Sequence, residues 1–171
     1  MPQLLTRPPV AHDPAAGVLM AEHFQVAYAT NDIDRACAIF TEQLGIREFR
    51  SLEGELPAGG HIRIELAWVG TVMYELMIAS GPGSQITMSR LPQGGGFALK
   101  HHHLGYLIHD QAQWDALLAE AERKGFAVPH LNDTPGFIRS CFVDVPVLGH
   151  YLEYLFPEPA GMAFFDSVPR H

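Results

Sequence analysis

Apolar and polar positions follow two different periods along the chain, and the two periods recur in the same order. Residues 23–45 begin with a short apolar run, break at polar residues, and continue with apolar positions at three- and four-residue steps as far as Gly45. Residues 103–125 repeat this arrangement and end at Gly125. A short apolar run followed by a helical period predicts a strand and then an amphipathic helix. The chain is therefore expected to contain two βα units.

Both predicted helices carry start and stop signals. Asn31 or Asp32 can cap the first helix and Asp110 the second, because short polar side chains accept hydrogen bonds from the free amides of the first turn. Glycine supplies the left-handed stop after each helix. The predicted apolar faces consist of Ile33, Ala36, Cys37, Phe40 and Leu44 in the first helix, and of Trp114, Leu117, Leu118 and Ala121 in the second.

Strand-like runs follow each predicted helix. Their β-branched and aromatic residues, bounded by Gly and Pro, favour strands over helices. The runs cover residues 47–52, 61–70 and 72–79 in the first half, and residues 127–131, 137–145 and 150–156 in the second. The order β-α-β-β-β is therefore predicted twice.

The repeat divides the chain into five predicted segments. They are an N-terminal extension (1–21), a first βαβββ module (22–80), a Gly- and Pro-rich linker or mobile loop (81–100), a second module (101–157) and a C-terminal tail (158–171). Phe164 and Phe165 stand together in the tail. They are expected to cover a partner subunit or the mouth of a cavity, or simply to pack.

Composition and charge narrow the range of partners. The chain has 171 residues, 19 acidic and 11 basic side chains and a formal net charge of -8. Without a basic cluster, nucleic acid and anionic membranes are not expected partners. No apolar stretch approaches the roughly 18 residues of a membrane span, so the expected location is the cytoplasm. Cys37 and Cys141 lie in apolar segments and are expected to be free thiols.

The repeat also relates two histidines and two glutamates. His23 and His103 open the first strands of the two modules, and Glu75 and Glu153 lie in the last strands. A single glutamate in an apolar strand is more often a salt-bridge partner, because burying its charge is costly. Matched pairs favour a metal site instead. Nitrogen and carboxylate oxygen donors suit one divalent cation per chain, and Zn, Ni, Co, Mn and Fe(II) all remain open.

Three consecutive histidines precede the second of these strands. Regular alternation along a strand places the side chain of His103 on one face and that of His102 on the other. His101 and His102 are expected to flank the ligand or to lie in contact with it.

Four stretches carry a family resemblance: HFQVAYATNDIDRACAIF from His23, YEL around Glu75, HHLGYLIHD around His103, and FVDVPVLGHYLEYLF around Glu153. Through them the chain resembles the vicinal oxygen chelate superfamily, the group of glyoxalases, bleomycin-resistance proteins and extradiol dioxygenases, over residues 22–157. The resemblance implies an α+β fold in which two βαβββ modules form one curved eight-stranded mixed sheet. It also implies metal ligation by His23, Glu75, His103 and Glu153.

Within this superfamily the pattern is most similar to the methylmalonyl-CoA epimerases and to glyoxalase I. The epimerases usually have glutamine at the second metal position, where this chain has Glu75, as glyoxalase I does. The resemblance implies an isomerase, an epimerase or a glyoxalase-type lyase that acts next to the carbonyl of a small substrate through a metal-stabilised enolate. Either Glu75 or Glu153 would be the catalytic base. The resemblance also implies a homodimer.

Two other functions stay open at this point. One is an Fe(II) extradiol-type dioxygenase, against which Glu75 counts because those enzymes have no ligand at this position. The other is a small-molecule binding protein of the resistance type, against which the full set of four donors counts.

Overall fold

A single sheet of eight strands, in the order β2-β3-β4-β1-β5-β8-β7-β6, organises the computed structural model, which describes residues 5–171. The first module comprises β1 Glu22–Thr30, α1 Ile33–Glu42, β2 Arg50–Glu55, β3 His61–Val69 and β4 Val72–Ser80, and α2 Gln85–Met88 follows it. The second comprises β5 Leu99–Leu107, α3 Gln111–Lys124, β6 Ala127–Thr134, β7 Ile138–Asp144 and β8 Tyr151–Pro157, and α4 Pro159–Asp166 follows it. The predicted fold class is confirmed. The first four residues of the predicted N-terminal extension lie outside the described residues.

The two modules join within one chain. In each module the first strand pairs in parallel with the last one, β1 with β4 and β5 with β8. The antiparallel pairing of β1 with β5 connects the modules at the centre of the sheet. The sheet is curved, with α1 and α3 packed on its convex face. The four central strands therefore present their other side chains to the floor of a cup.

The first helix begins where the sequence predicts and ends earlier. The Asp32 side chain accepts a hydrogen bond from the backbone amide of Arg35 at 3.0 Å. The apolar face of α1 packs on the sheet through Ile33, Ala36 and Phe40. Leu44 was expected on this face but is 61 % exposed, because the helix stops at Glu42 and the chain then turns away.

The second long helix follows its prediction at both ends. Asp110 caps it by accepting from the amide of Gln113 at 2.8 Å, and Gly125 ends it in the left-handed conformation with φ of 70°. Its buried face includes Trp114 and Leu117, which pack with the aromatic residues of β5 and β8. No helix within residues 5–171 is long and apolar enough to cross a membrane.

The segment between the modules packs against one end of the cup instead of forming a simple linker. Met88 and Leu91 contact the apolar residues of β1 and β4 on the concave face. Thr30 Oγ1 donates to the carbonyl of Ala98 at 2.8 Å, which fixes the return of the chain into β5. This strand begins at Leu99, two residues before the predicted start of the second module.

The C-terminal tail packs over the opposite end of the cup. Phe164 and Phe165 of α4 pack with Phe24 in an apolar cluster on this side. The chain then runs beside β3, where the Trp68 amide donates to the Pro169 carbonyl at 2.8 Å. The paired phenylalanines thus cover part of the cavity.

Both cysteines are free thiols. Burial raises the pKa of Cys37 to about 11 and that of Cys141 to about 12. Because the thiolate is the reactive form of cysteine, neither side chain is a nucleophile at neutral pH.

Candidate active site

Three of the four predicted ligands meet at the centre of the concave face. Glu75 comes from β4, His103 from β5 and Glu153 from β8, and one donor atom from each lies within 4.8 Å of the others. His103 Nε2 is 2.9 Å from Glu153 Oε2. The ring of His103 is fully buried, whereas the Glu153 side chain is 12 % exposed to the cavity. The two parallel strand pairs of the sheet therefore bring these side chains together.

The structure does not bring His23 to this cluster. His23 is exposed, its Nε2 lies 3.0 Å from the backbone oxygen of Gln25, and its ring contacts that of Tyr106 at 5.3 Å between centres. Tyr106 belongs to the core beneath α3, on the convex face. The pairing of β1 with β5 shifts register between His23 and Gln25, which turns the strand and directs the histidine away from the cup.

Gln25 takes the place that His23 was expected to fill. Its side chain is 1 % exposed, and its Nε2 donates to Glu75 Oε2 at 2.5 Å. Gly105 on β5 leaves the necessary space, because a Cβ atom there would lie 2.7 Å from the Gln25 Cβ and 2.4 Å from its Oε1. Glutamine and glycine are thus complementary across the central strand pair.

The repeat contains a signal for Gln25. Glu75 and Glu153 lie 78 positions apart, and the residue 78 positions before His103 is Gln25. The sheet follows this spacing, because β1 pairs Gln25 with Met73 while β5 pairs His103 with the residue 78 positions beyond Met73. The spacing of 80 positions that pairs His23 with His103 does not match the register of the strands.

A β-bulge places two adjacent histidines on the same side of the sheet. Ala27 pairs with His103 and the next residue, Tyr28, pairs with His101, so His102 is an extra residue in β5. The expectation that His102 points to the opposite face from His103 fails because this insertion interrupts the alternation of side chains. The rings of His102 and His103 are in contact, with 2.9 Å between their Nδ1 atoms.

These contacts determine which nitrogen of each ring carries hydrogen. His102 Nε2 lies 2.8 Å from the backbone oxygen of Ile86, which can only accept, so this nitrogen is the donor. His102 Nδ1 then accepts from Nδ1–H of His103, and His103 presents an unprotonated Nε2 towards Glu153. Burial lowers the pKa of His102 to about 3 and that of His103 to about 4, so both rings are neutral at pH 7.

Burial has the opposite effect on the two carboxyl groups. It raises the pKa of Glu75 to about 8, with the charge of Glu153 adding to the increase and His103 and the amide of Gln25 opposing it. Burial likewise raises the pKa of Glu153 to about 8, against the effect of His130. Two carboxylates in this environment need protons or a cation, because burying an uncompensated charge is costly.

The cluster fits a divalent cation. Within residues 5–171, Gln25 Oε1 is buried without a hydrogen-bond partner, and the buried His103 Nε2 faces only the carboxyl group of Glu153 at 2.9 Å. Both belong to the group that includes the two buried carboxyls, so a cation would satisfy all four side chains together. The set has one nitrogen and three oxygen donors, which is richer in oxygen than the predicted set with two histidines. Carboxylate and carbonyl oxygens suit harder cations such as Mn²⁺, and the loss of one imidazole reduces the advantage of Zn²⁺ and Ni²⁺.

We expect replacement of His102 by alanine to weaken divalent-cation binding by about 10- to 100-fold. The variant loses the acceptor that keeps the hydrogen of His103 on Nδ1, so Nε2 is no longer reserved for the cation. Calorimetric titration with Mn²⁺ or Co²⁺ measures the change. His101→Ala is the matched control, because the side chain of His101 hydrogen-bonds to the backbone oxygen of His103 and not to its ring. Equal affinities in the two variants would contradict the role given to His102.

The carboxyl groups lie at the floor of a cavity with two lobes. The larger lobe has a volume of about 620 Å³ and extends between the β2–β3 hairpin and β6. The smaller lobe has a volume of about 140 Å³ and lies beneath α4. Glu75 and Glu153 line both lobes, so a molecule in the cup can contact them from either side.

The sequence of the chain matches the model of one known protein family. Residues 22–144 match the model of the Glyoxalase/Bleomycin resistance protein/Dioxygenase superfamily. No curated protein sequence matches the chain.

Several solved structures have a fold similar to that of this chain. Methylmalonyl-CoA epimerase from Mycobacterium tuberculosis is 17 % identical with a TM-score of 0.60, and the match covers 83 % of this chain and 91 % of that chain. A variant of the Streptomyces coelicolor epimerase, in complex with 2-nitronate-propionyl-CoA, is also 17 % identical with a TM-score of 0.60, covering 82 % and 96 %. A hypothetical protein from Bacillus halodurans is 14 % identical with a TM-score of 0.56, covering 79 % and 93 %. At these identities the likeness shows the fold alone.

Proposed function

Because the chain belongs to the Glyoxalase/Bleomycin resistance protein/Dioxygenase superfamily, we propose that it is a metal-dependent enzyme of the epimerase or isomerase type. It moves a proton at the carbon next to the carbonyl group of a small substrate. One observation carries this proposal: Gln25, Glu75, His103 and Glu153 form a buried donor cluster at the floor of an open cavity.

The proposed ligands have different tasks. When bound, a divalent cation would polarise the substrate carbonyl and stabilise the negative charge that develops on its oxygen. His103 offers Nε2 because His102 holds the hydrogen on the other ring nitrogen. Gln25 offers Oε1 while its amide group fixes Glu75. These contacts keep the donors in place before the substrate arrives.

Of the two glutamates, Glu153 is the better candidate for the proton carrier. Glu75 is held by the Gln25 amide and is 5 % exposed. Glu153 receives no such amide bond within the described part of the chain, and its carboxyl group reaches the cavity. A carboxyl group that reaches the cavity can take a proton from a bound substrate and return it.

The alternatives from the sequence fit this cluster less well. Non-haem Fe(II) oxygenases use two histidines and one carboxylate, whereas this cluster has one imidazole and two carboxyl groups. A protein that only binds small molecules has no need for two buried carboxyl groups at the floor of its cavity. The homodimer and the cytoplasmic location expected from the sequence stay predictions.

Exchange of an α-proton with solvent deuterium tests the proposal. Two chiral probes suit the experiment: methylmalonyl-CoA, which is highly anionic, and the uncharged methyl α-phenylethyl ketone. We expect the metal-loaded protein to exchange the α-proton of at least one probe. Glu153→Gln, assayed at a cation concentration that saturates the variant, should slow this exchange by about 100- to 10,000-fold, because a positioned base contributes that much. Absence of exchange with both probes, in protein that holds one cation per chain, would contradict the proposal and favour a binding protein.

A further inference from the structure

We propose that the substrate is an uncharged carbonyl compound that carries an apolar group the size of an aromatic ring, and that the small lobe beneath Phe164 and Phe165 binds this group. The inference rests on the proposed function and adds the substrate class. It has two independent supports, which are the charge of the cavity and the volume of the lobe.

The described side chains of the cavity walls include no cation. Within residues 5–171, no lysine or arginine lines either lobe. The charged side chains on the wall of the larger lobe, away from the donor cluster, are Glu53 and Glu55 on the β2–β3 side, and both are acidic. An anionic substrate would therefore meet repulsion and would lack the arginine or lysine that carboxylate and phosphate groups require.

The arginines on the strands and loops around the cup do not line its cavity. Arg63 points to the convex face, where its Nη1 lies 3.0 Å from Asp34 of α1, and Arg90 lies 3.1 Å from Asp144. Arg50 stands against an aromatic ring of α4, with its Cζ at 5.7 Å from the ring centre, and it lines neither lobe. A coenzyme A thioester, with its phosphates, would find no free cationic partner in the walls of this cup.

The small lobe has the size and the surface of a site for an apolar ring. Leu66, Leu155, Phe164 and Phe165 line it, and the donor cluster forms its inner end. Its volume of about 140 Å³ is close to that of an engineered cavity of about 150 Å³, lined by Leu, Ile and Phe, that stays dry and binds benzene. A ring in this lobe would leave an adjacent carbonyl beside Glu75 and Glu153.

The C-terminal segment builds this lobe. The α4 helix sits close to the sheet because Gly161 approaches the Phe137 carbonyl, where a Cβ atom would lie 2.3 Å from the oxygen. Trp68 Nε1 donates to the Phe165 carbonyl at 3.3 Å, and the following residues run along β3. The phenylalanines of α4 are therefore held in place, and they set the length of the apolar group that fits.

A series of ketones tests the inference by calorimetric titration of the metal-loaded protein. The probes are ethyl methyl ketone without a ring, methyl α-phenylethyl ketone, its naphthyl counterpart, and methylmalonyl-CoA. We expect the phenyl ketone to bind at least tenfold more tightly than the other three. Leu155→Phe, which fills the lobe, should weaken binding of the phenyl ketone at least tenfold and leave ethyl methyl ketone unchanged. Phe165→Ala, which enlarges the lobe, should improve binding of the naphthyl ketone at least tenfold.

Leu44→Phe is the matched control, because Leu44 is 61 % exposed and lines neither lobe. It should leave all four affinities unchanged. Tighter binding of methylmalonyl-CoA than of the phenyl ketone would overturn the inference, and so would affinities that ignore Leu155→Phe and Phe165→Ala. Size-dependent binding of the ketones without proton exchange would support the lobe and contradict the proposed function alone, so the two failures are distinguishable.

Discussion

Replacement of Glu153 by glutamine is expected to weaken divalent-cation binding by more than about 100-fold. Loss of a group that only orients a ligand already costs 10- to 100-fold in metal affinity, and Glu153 is proposed to be a ligand itself. The substitution keeps the shape of the side chain and removes the negative charge. Titration with Mn²⁺ and Co²⁺, followed by calorimetry and by metal content, measures the effect.

The matched variant is Gln25→His, which exchanges an amide oxygen for an imidazole nitrogen. It should increase the affinity for Zn²⁺ or Ni²⁺ relative to Mn²⁺, because imidazole suits the former two cations. His12, Glu22 and His109 form a second, exposed group of potential ligands, so the titrations need the His12→Ala background to exclude this group. Unchanged affinity in Glu153→Gln on that background would remove Glu153 from the proposed metal site.

The second large effect is a pH dependence of the metal-free protein. We expect the free energy of unfolding to decrease between pH 6.5 and pH 8, by on the order of 1 kcal/mol per pH unit for each of the two buried carboxyl groups. The ordinary pKa of 4.5 rises to about 8 in Glu75 and Glu153. The unfolded chain therefore releases these protons at a lower pH than the folded chain does, and stability is lost as the pH rises towards 8.

The histidines have the opposite sign and a different range. Burial lowers the pKa of His102 and His103 below the ordinary 6.5, so their contribution to stability is lost as the pH falls below 6.5. Above pH 6.5 they are neutral in both states, and the carboxyl groups alone determine the slope. Denaturant titrations at three pH values in this range, with a chelator present, measure it.

Two comparisons make this pH prediction specific. Glu75→Gln should remove about half of the decrease, and saturating Mn²⁺ should abolish it, because the cation stabilises the ionised carboxylates. A decrease of the same size in Glu75→Gln would place its origin outside the cluster.

The sequence predicts most of the fold and three residues of the candidate site. Both follow from regular spacings of residues along the chain. Strand alternation and helix caps depend on neighbouring residues, and the repeat depends on spacing alone. The caps Asp32 and Asp110 lie where these patterns predict them, and so do Glu75, His103 and Glu153. The residues that sequence reasoning missed lie at irregular backbone. A register shift separates His23 from Gln25, and a bulge at His102 brings adjacent rings together. Such irregularities depend on the pairing of two distant strands and have no local signature.

The small lobe beneath α4 could not be predicted from the sequence for a different reason. Phe164 and Phe165 follow the second module, and no period in their own segment indicates which surface they cover. Their position depends on the close contact of Gly161 with the Phe137 carbonyl and on the pairing of the tail with Trp68. The three interpretations open for these residues therefore needed the tertiary structure.

Because of the bulge in β5, the position of the proposed ligand His103 does not depend on the number of histidines in the run. Deletion of His102 would join His101 directly to His103, and their partners Tyr28 and Ala27 are already consecutive in β1. The strand would regain its regular ladder, and His103 would still face the cup, without the ring that orients it. Loss of one codon in this run would thus remove the hydrogen bond that orients the His103 ring. The pairing of β5 with β1 would not change. Proteins built on this sheet could gain or lose such an orienting histidine by insertion or deletion of one residue, with no other residue changed.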